Sequence, residues 1–66
     1  MDLGANLKKA RKEAGMTQKE LAERLQVHQK DICRWENGDR TPNAITLGKI
    51  CKELKVSADD VLELRF

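Results

Sequence analysis

The 66 residues are expected to form one domain spanning 1–66, near the lower size limit for folding alone, with a core built from a few helices joined by short turns. Hydrophobic residues at 39% beside 36% charged, with Leu, Ile and Val at regular spacings, exclude a disordered tail, and a single Trp, a single Phe and no Tyr leave the core mostly aliphatic. The net charge of +2 permits nucleic acid as a partner without demanding it, while no apolar run approaches membrane-spanning length and "MDLGANLKKARKEAG" lacks the apolar stretch of a signal peptide, so an intracellular location is expected.

Five helices are predicted. The first carries Leu3, Leu7, Ala10 and Ala14 as its apolar stripe, with Gly15 to end it. The second opens at "TQKE", where Thr17 and Glu20 make a capping box, and buries Leu21, Ala22 and Leu25. A very brief break around Gln26-Val27-His28 leads into the third, roughly 28–36, with Ile32 and Trp35 inward and Gln29, Lys30 and Arg34 on the opposite side. "NGDRTPN" is a turn, and Pro42 and Asn43 set up the fourth helix, which buries Leu47, Ile50, Cys51 and Leu54. The fifth starts at "SADD", capped by Ser57, and continues through Val61, Leu62 and Leu64.

Gln26 and Lys55 each follow a helix-ending Leu and precede a Val, where a left-handed residue is expected; a non-Gly residue there costs on the order of 1 kcal/mol. Gly48 inside the fourth helix weakens it by about 1 kcal/mol relative to Ala.

Cys33 and Cys51 sit at apolar or semi-buried helical positions as small hydrophobes, and no disulfide is expected between them. A zinc site takes about four Cys or His ligands; two Cys and one His without zinc spacing do not supply them, so neither metal nor other cofactor is expected. No Ser/His/Asp constellation, carboxylate pair with a pocket or phosphate-cradling Gly loop is present, and Cys33 and His28 stand on different faces of a helix, so no enzyme is expected.

"TQKELAERLQVHQKDICRWENG" resembles the helix-turn-helix of the Cro/repressor-type (XRE) family in many positions that agree in register, and "LKKARKEAGMTQ" and "RTPNAITLGKICKELKVSADDVL" are similar to its remaining helices. The resemblance covers essentially the whole chain. It implies an all-α, five-helix, lambda-repressor-like DNA-binding domain with the helix-turn-helix at helices 2 and 3. It also implies a cytoplasmic protein of prokaryotic or phage origin. The chain departs from the family at Gln26, where Gly is usual, and at His28 and Cys33, where Ser is frequent, so base preference does not carry over from relatives.

In such a domain the third helix enters the major groove. Gln29, Lys30 and Arg34 are then the base-reading residues, since Gln pairs with adenine and Lys or Arg with guanine. The resemblance implies that Gln18 bonds a phosphate and braces Gln29, and that Arg40, Thr41 and Asn43 grip the backbone. His28 touches DNA or caps the helix. Asp31 either accepts from a cytosine or, the favoured reading, neutralises Lys30 or Arg34, and Trp35 is core. Arg11 and Glu36 resemble a structural salt bridge between the first and third helices.

The expected function is sequence-specific binding of double-stranded DNA by a transcriptional regulator, most simply a repressor on a palindromic operator. A homodimer, weak without DNA, is expected, with no second domain to hold it. Leu62, Leu64 and Phe66 are the interface candidates and Ile45 a weaker one. The rival reading is an antitoxin-like or adaptor module that uses the same fold to hold a protein.

Overall fold

In the computed structural model, which describes residues 2–63, the chain forms α1 (Leu3–Glu13), α2 (Gln18–Leu25), α3 (Gln29–Asn37), α4 (Ala44–Leu54) and α5 (Ala58–Leu62), with no strand among the described residues. Short polar side chains start four of the helices by taking an otherwise orphaned backbone N–H. Asp2 accepts from Ala5 at 3.0 Å, Thr17 from Glu20 at 3.0 Å, Asn43 from Thr46 at 2.8 Å and Ser57 from Asp59 at 3.1 Å. Glu20 returns the bond from the Thr17 N–H at 3.0 Å and completes the capping box. Hydrogen bonding of the Glu20 carboxyl to the Thr17 backbone N–H, and to the Thr17 side chain, holds it below the ordinary carboxylate range.

The ends of α2 and α4 are built alike. Gln26 and Lys55 both take the left-handed conformation at φ 57°. The Val after each donates its N–H back across the turn, Val27 to Ala22 and Val56 to Cys51, both at 3.0 Å. Both valines then pack on the core, so the backbone strain is offset by a satisfied carbonyl and an apolar contact.

Leu7 and Ala10 of α1, Leu21 of α2, Ile32 of α3, Leu47, Ile50 and Leu54 of α4 and Val61 of α5 close the core, with Ile32 and Ile50 only 1% exposed. The buried Cys51 thiol is pushed up by that burial, and both cysteines are free. α1 and α2 both pack on α3, while α5 lies against α1 and α4 supports α2. No described helix is long and apolar enough to cross a membrane.

The structure differs from the sequence reading in several places. Ala14 caps α1 and is exposed, and the buried position one turn back belongs to Arg11. Trp35 packs against the core as expected, though half-buried. α5 is Ala58–Leu62, with Glu63 left-handed, and Asn6 of α1 reaches across to donate to the Val61 carbonyl at 2.8 Å and to the Glu63 carboxylate at 3.0 Å. Leu64 and Phe66 lie outside the described residues.

Candidate nucleic-acid interface

The position of α3 is set by one charged cluster beneath it. Arg11 of α1 donates from Nε to Glu36 Oε2 at 2.7 Å and from Nη2 to Oε1 at 3.0 Å, while its Nη1 reaches the Met16 carbonyl at 2.8 Å. Gln18, at the first position of α2, adds a third donor to Glu36, Nε2 to Oε1 at 3.0 Å. Burial pushes the Glu36 carboxyl upward, but the hydrogen bonds from Arg11 and Gln18 and the charges of Arg11 and Lys8 outweigh it and hold the group below its ordinary value. The same hydrogen bond raises Arg11 further, against its desolvation. Three elements converge on one carboxylate, and α3 can neither slide nor roll without breaking them.

Gly4 makes this crossing close. A side chain there would put its Cβ 2.5 Å from the Glu36 carbonyl oxygen and 2.6 Å from that of Trp35. The first turn of α1 rests directly on the backbone of α3, and only glycine allows it. Nothing in the local sequence around Gly4 announces a contact with residues 35 and 36.

Above this anchor, α3 presents Gln29, Lys30 and Arg34 as exposed side chains, with Lys30 and Arg34 turned away from the buried Ile32 and Glu36 and Gln29 at the edge of that buried side. His28 is the exposed N-cap residue, but its imidazole makes no cap bond. The helix start is held from the other side, because Asp31 accepts from the His28 N–H at 3.3 Å. Asp31 also stands 4.0 Å from Arg34 across one turn, with both side chains substantially exposed, a contact too solvated to tie Arg34 down. Asp31 therefore caps its own helix, a role signalled by an acid three residues after an N-cap position and absent from the sequence reading.

Gln18 has a partner that the sequence does not announce. Its amide nitrogen is bonded to Glu36. Together Gln18, His28, Gln29, Lys30 and Cys33 line an open groove of about 690 Å³ between the start of α2 and the face of α3. Arg40, Thr41 and Asn43 are exposed in the turn and helix start that follow α3. Asn43 spends its side-chain oxygen on the Thr46 N–H, which leaves its amide nitrogen available as a donor. Among the described residues, no group of three His, Cys, Asp or Glu side chains is placed to hold a metal ion.

This arrangement has the elements of a DNA-reading surface: a short helix with long donors on its free face, a helix N-terminus beside it and polar residues flanking both. A family model described as helix-turn-helix matches residues 7–61. The chain is 42% identical over 62 residues to the HTH-type transcriptional regulator ImmR of Bacillus subtilis (strain 168), a match that covers 94% of this chain and 49% of that protein. It is 36% identical over 62 residues to the HTH-type transcriptional activator BcrR of Enterococcus faecalis, covering 94% of this chain and 30% of that protein. The chain thus spans at most about half the length of these relatives.

Proposed function

This chain belongs to the Cro/repressor-type (XRE) helix-turn-helix family, and on that premise we propose that it binds double-stranded DNA sequence-specifically as a transcriptional regulator. The observation that carries the reading is the α3 face itself. Gln29, Lys30 and Arg34 are exposed together, on a helix anchored to the rest of the fold by Ile32 and the Arg11–Glu36 pair. In the major groove Gln29 pairs with adenine, and Lys30 and Arg34 donate to guanine O6 and N7.

The flanks grip phosphate. Gln18 uses one amide proton on Glu36 and keeps the second for a phosphate oxygen. Asn43 offers its free amide nitrogen, and Arg40, Thr41 and His28 complete the backbone contacts with the N-terminus of α2. These contacts set register and salt dependence, and the three α3 side chains set sequence.

Two copies bind a palindromic operator as a homodimer, each placing α3 in one of two half-sites about 34 Å apart. Ile45, in the first turn of α4, is 74% exposed and is the large hydrophobic left outside the core among the described residues, whereas Leu62 packs inward. Ile45 thus takes the first place among the interface candidates that lie in the described residues. Occupancy of an operator in the cytoplasm excludes a competing protein, the simplest form of repression.

The test is selection from random duplexes by wild-type protein and by Arg34→Ala, with affinity followed against salt. A two-fold-symmetric motif, with the variant indifferent at one base pair per half, is the expected result. Weak, salt-sensitive and sequence-blind binding by the wild type would overturn the reading and direct attention to a protein partner of the kind an antitoxin or adaptor holds.

A further inference from the structure

We propose that Cys33 is a fourth base-reading residue and selects thymine through its 5-methyl group. This inference rests on the DNA-binding reading of α3 and specifies one part of the surface that reading leaves open.

The geometry begins with the helix. At about 100° per residue, Cys33 lies roughly 40° round from Gln29, between Gln29 at 0° and Arg34 at roughly 140°, with Lys30 near 100°. Any docking that carries Gln29, Lys30 and Arg34 to the base edges therefore carries Cys33 there too. It stands about 6 Å further along the axis than Gln29, one turn on and beside Arg34. The residue is only half-buried, and it forms part of the wall of the groove shared with Gln18, His28, Gln29 and Lys30.

Its orientation is also held. Asn37, one turn further on, donates from Nδ2 to Cys33 Sγ at 3.4 Å. One sulfur lone pair is engaged by the protein, and the thiol presents a short, polarisable and weakly polar surface to whatever enters the groove. Such a surface cannot discriminate by strong hydrogen bonds. In the major groove the apolar feature available for it to select is the thymine C5-methyl. The longer donors around it reach neighbouring base pairs, and Cys33 fills the gap between them.

The experiment uses the site selected by the wild-type protein. Each thymine of the half-site is replaced in turn by deoxyuridine, which removes the methyl and leaves every hydrogen-bonding group in place. At one position the wild type should lose about fourfold in affinity, the factor for one methyl group removed from apolar contact. Cys33→Ser should bind the thymine and uracil duplexes equally while keeping the remaining base preferences. Cys33→Ala, apolar but shorter by the sulfur, should keep a thymine preference reduced below that of the wild type, which preserves the test if the serine variant folds poorly. A half-site with no methyl-sensitive thymine, or a sensitivity that survives undiminished in both variants, overturns the role of Cys33 and leaves Gln29, Lys30 and Arg34 standing. A wild-type protein that selects no sequence overturns the DNA reading and this inference with it.

Discussion

Arg11 and Glu36, 25 residues apart in sequence, meet in a two-point ion pair at 2.7 and 3.0 Å, with side chains only 8% and 3% exposed. Such a pair is a poor source of net stability, because two charges have been taken out of water, but it is intolerant of losing one member. Glu36→Ala leaves a buried guanidinium, and Arg11→Ala leaves a buried carboxylate. Each should cost about 3–5 kcal/mol. A chain of 66 residues has roughly 3–10 kcal/mol in total, so either variant should be largely unfolded. Urea titrations followed by circular dichroism check this, and the double replacement Arg11→Met with Glu36→Leu should retain more structure than either alanine variant. Single variants within about 1 kcal/mol of wild type would show that water screens the pair.

The same carboxylate makes the fold acid-sensitive. Glu36 is held below its ordinary value of 4.5, so between that value and its native one the unfolded chain binds a proton that the folded chain does not. Its contribution is complete above the unfolded value and is lost as pH falls through the native one. Glu20, held down by Thr17, acts in the same direction from the surface. Melting temperature should be flat from neutrality to about pH 5 and then fall. Glu36→Gln, where enough of it folds, should flatten that fall, and an unchanged acid limb would place the sensitivity elsewhere.

Much of this fold is written within single helical turns, which is why it can be read from the sequence. The capping box at Thr17 and Glu20, the caps at Asn43 and Ser57, and the left-handed Gln26 and Lys55 all depend on residues no more than a few positions away. What escaped depends on partners brought close only by folding. Gly4 meets residues 35 and 36. Asn6 bonds the last turn of α5 from 55 positions away. Gln18 turns to Glu36 because the buried carboxylate offers it a stronger acceptor than a neighbouring amide would. The polar face of α3 was legible as a pattern, whereas the support beneath it was legible only at Arg11 and Glu36, through the family resemblance.

Gly4 and Gly48 should answer to alanine with opposite signs. At Gly4 the new Cβ would sit 2.5 Å from a backbone carbonyl oxygen, so α1 must move off α3, with an expected loss of about 1–3 kcal/mol. At Gly48 the added methyl meets nothing within 4 Å, and the helical backbone gains up to about 1 kcal/mol. Thermal unfolding of the two variants side by side is the check. A stabilised Gly4→Ala would mean that the helices can separate there without loss.

Ile45 should matter for pairing and not for folding. At 74% exposure it adds little to the core, so Ile45→Ser should unfold within about 0.5 kcal/mol of wild type. Sedimentation of the wild type on a two-half-site duplex should show two copies bound cooperatively, and the variant should bind the half-sites independently. Equal cooperativity in both proteins would move the interface to another face.

Arg40 separates the two kinds of DNA contact. It stands in the turn after α3, exposed and away from the arc that carries Gln29, Lys30 and Arg34. A guanidinium on phosphate releases about one counterion, so Arg40→Ala should reduce the slope of log affinity against log salt by about 0.9 per protomer, with the selected motif unchanged. Gln29→Ala should do the reverse, relaxing one base pair per half-site by about 1–3 kcal/mol of discrimination while the salt slope stays put. The contrast follows from physical chemistry alone, since phosphate is the same at every step of the duplex and base edges are not. If Arg40→Ala altered base preference, the turn after α3 would have to enter the groove, and the division between gripping and reading residues would have to be redrawn around it.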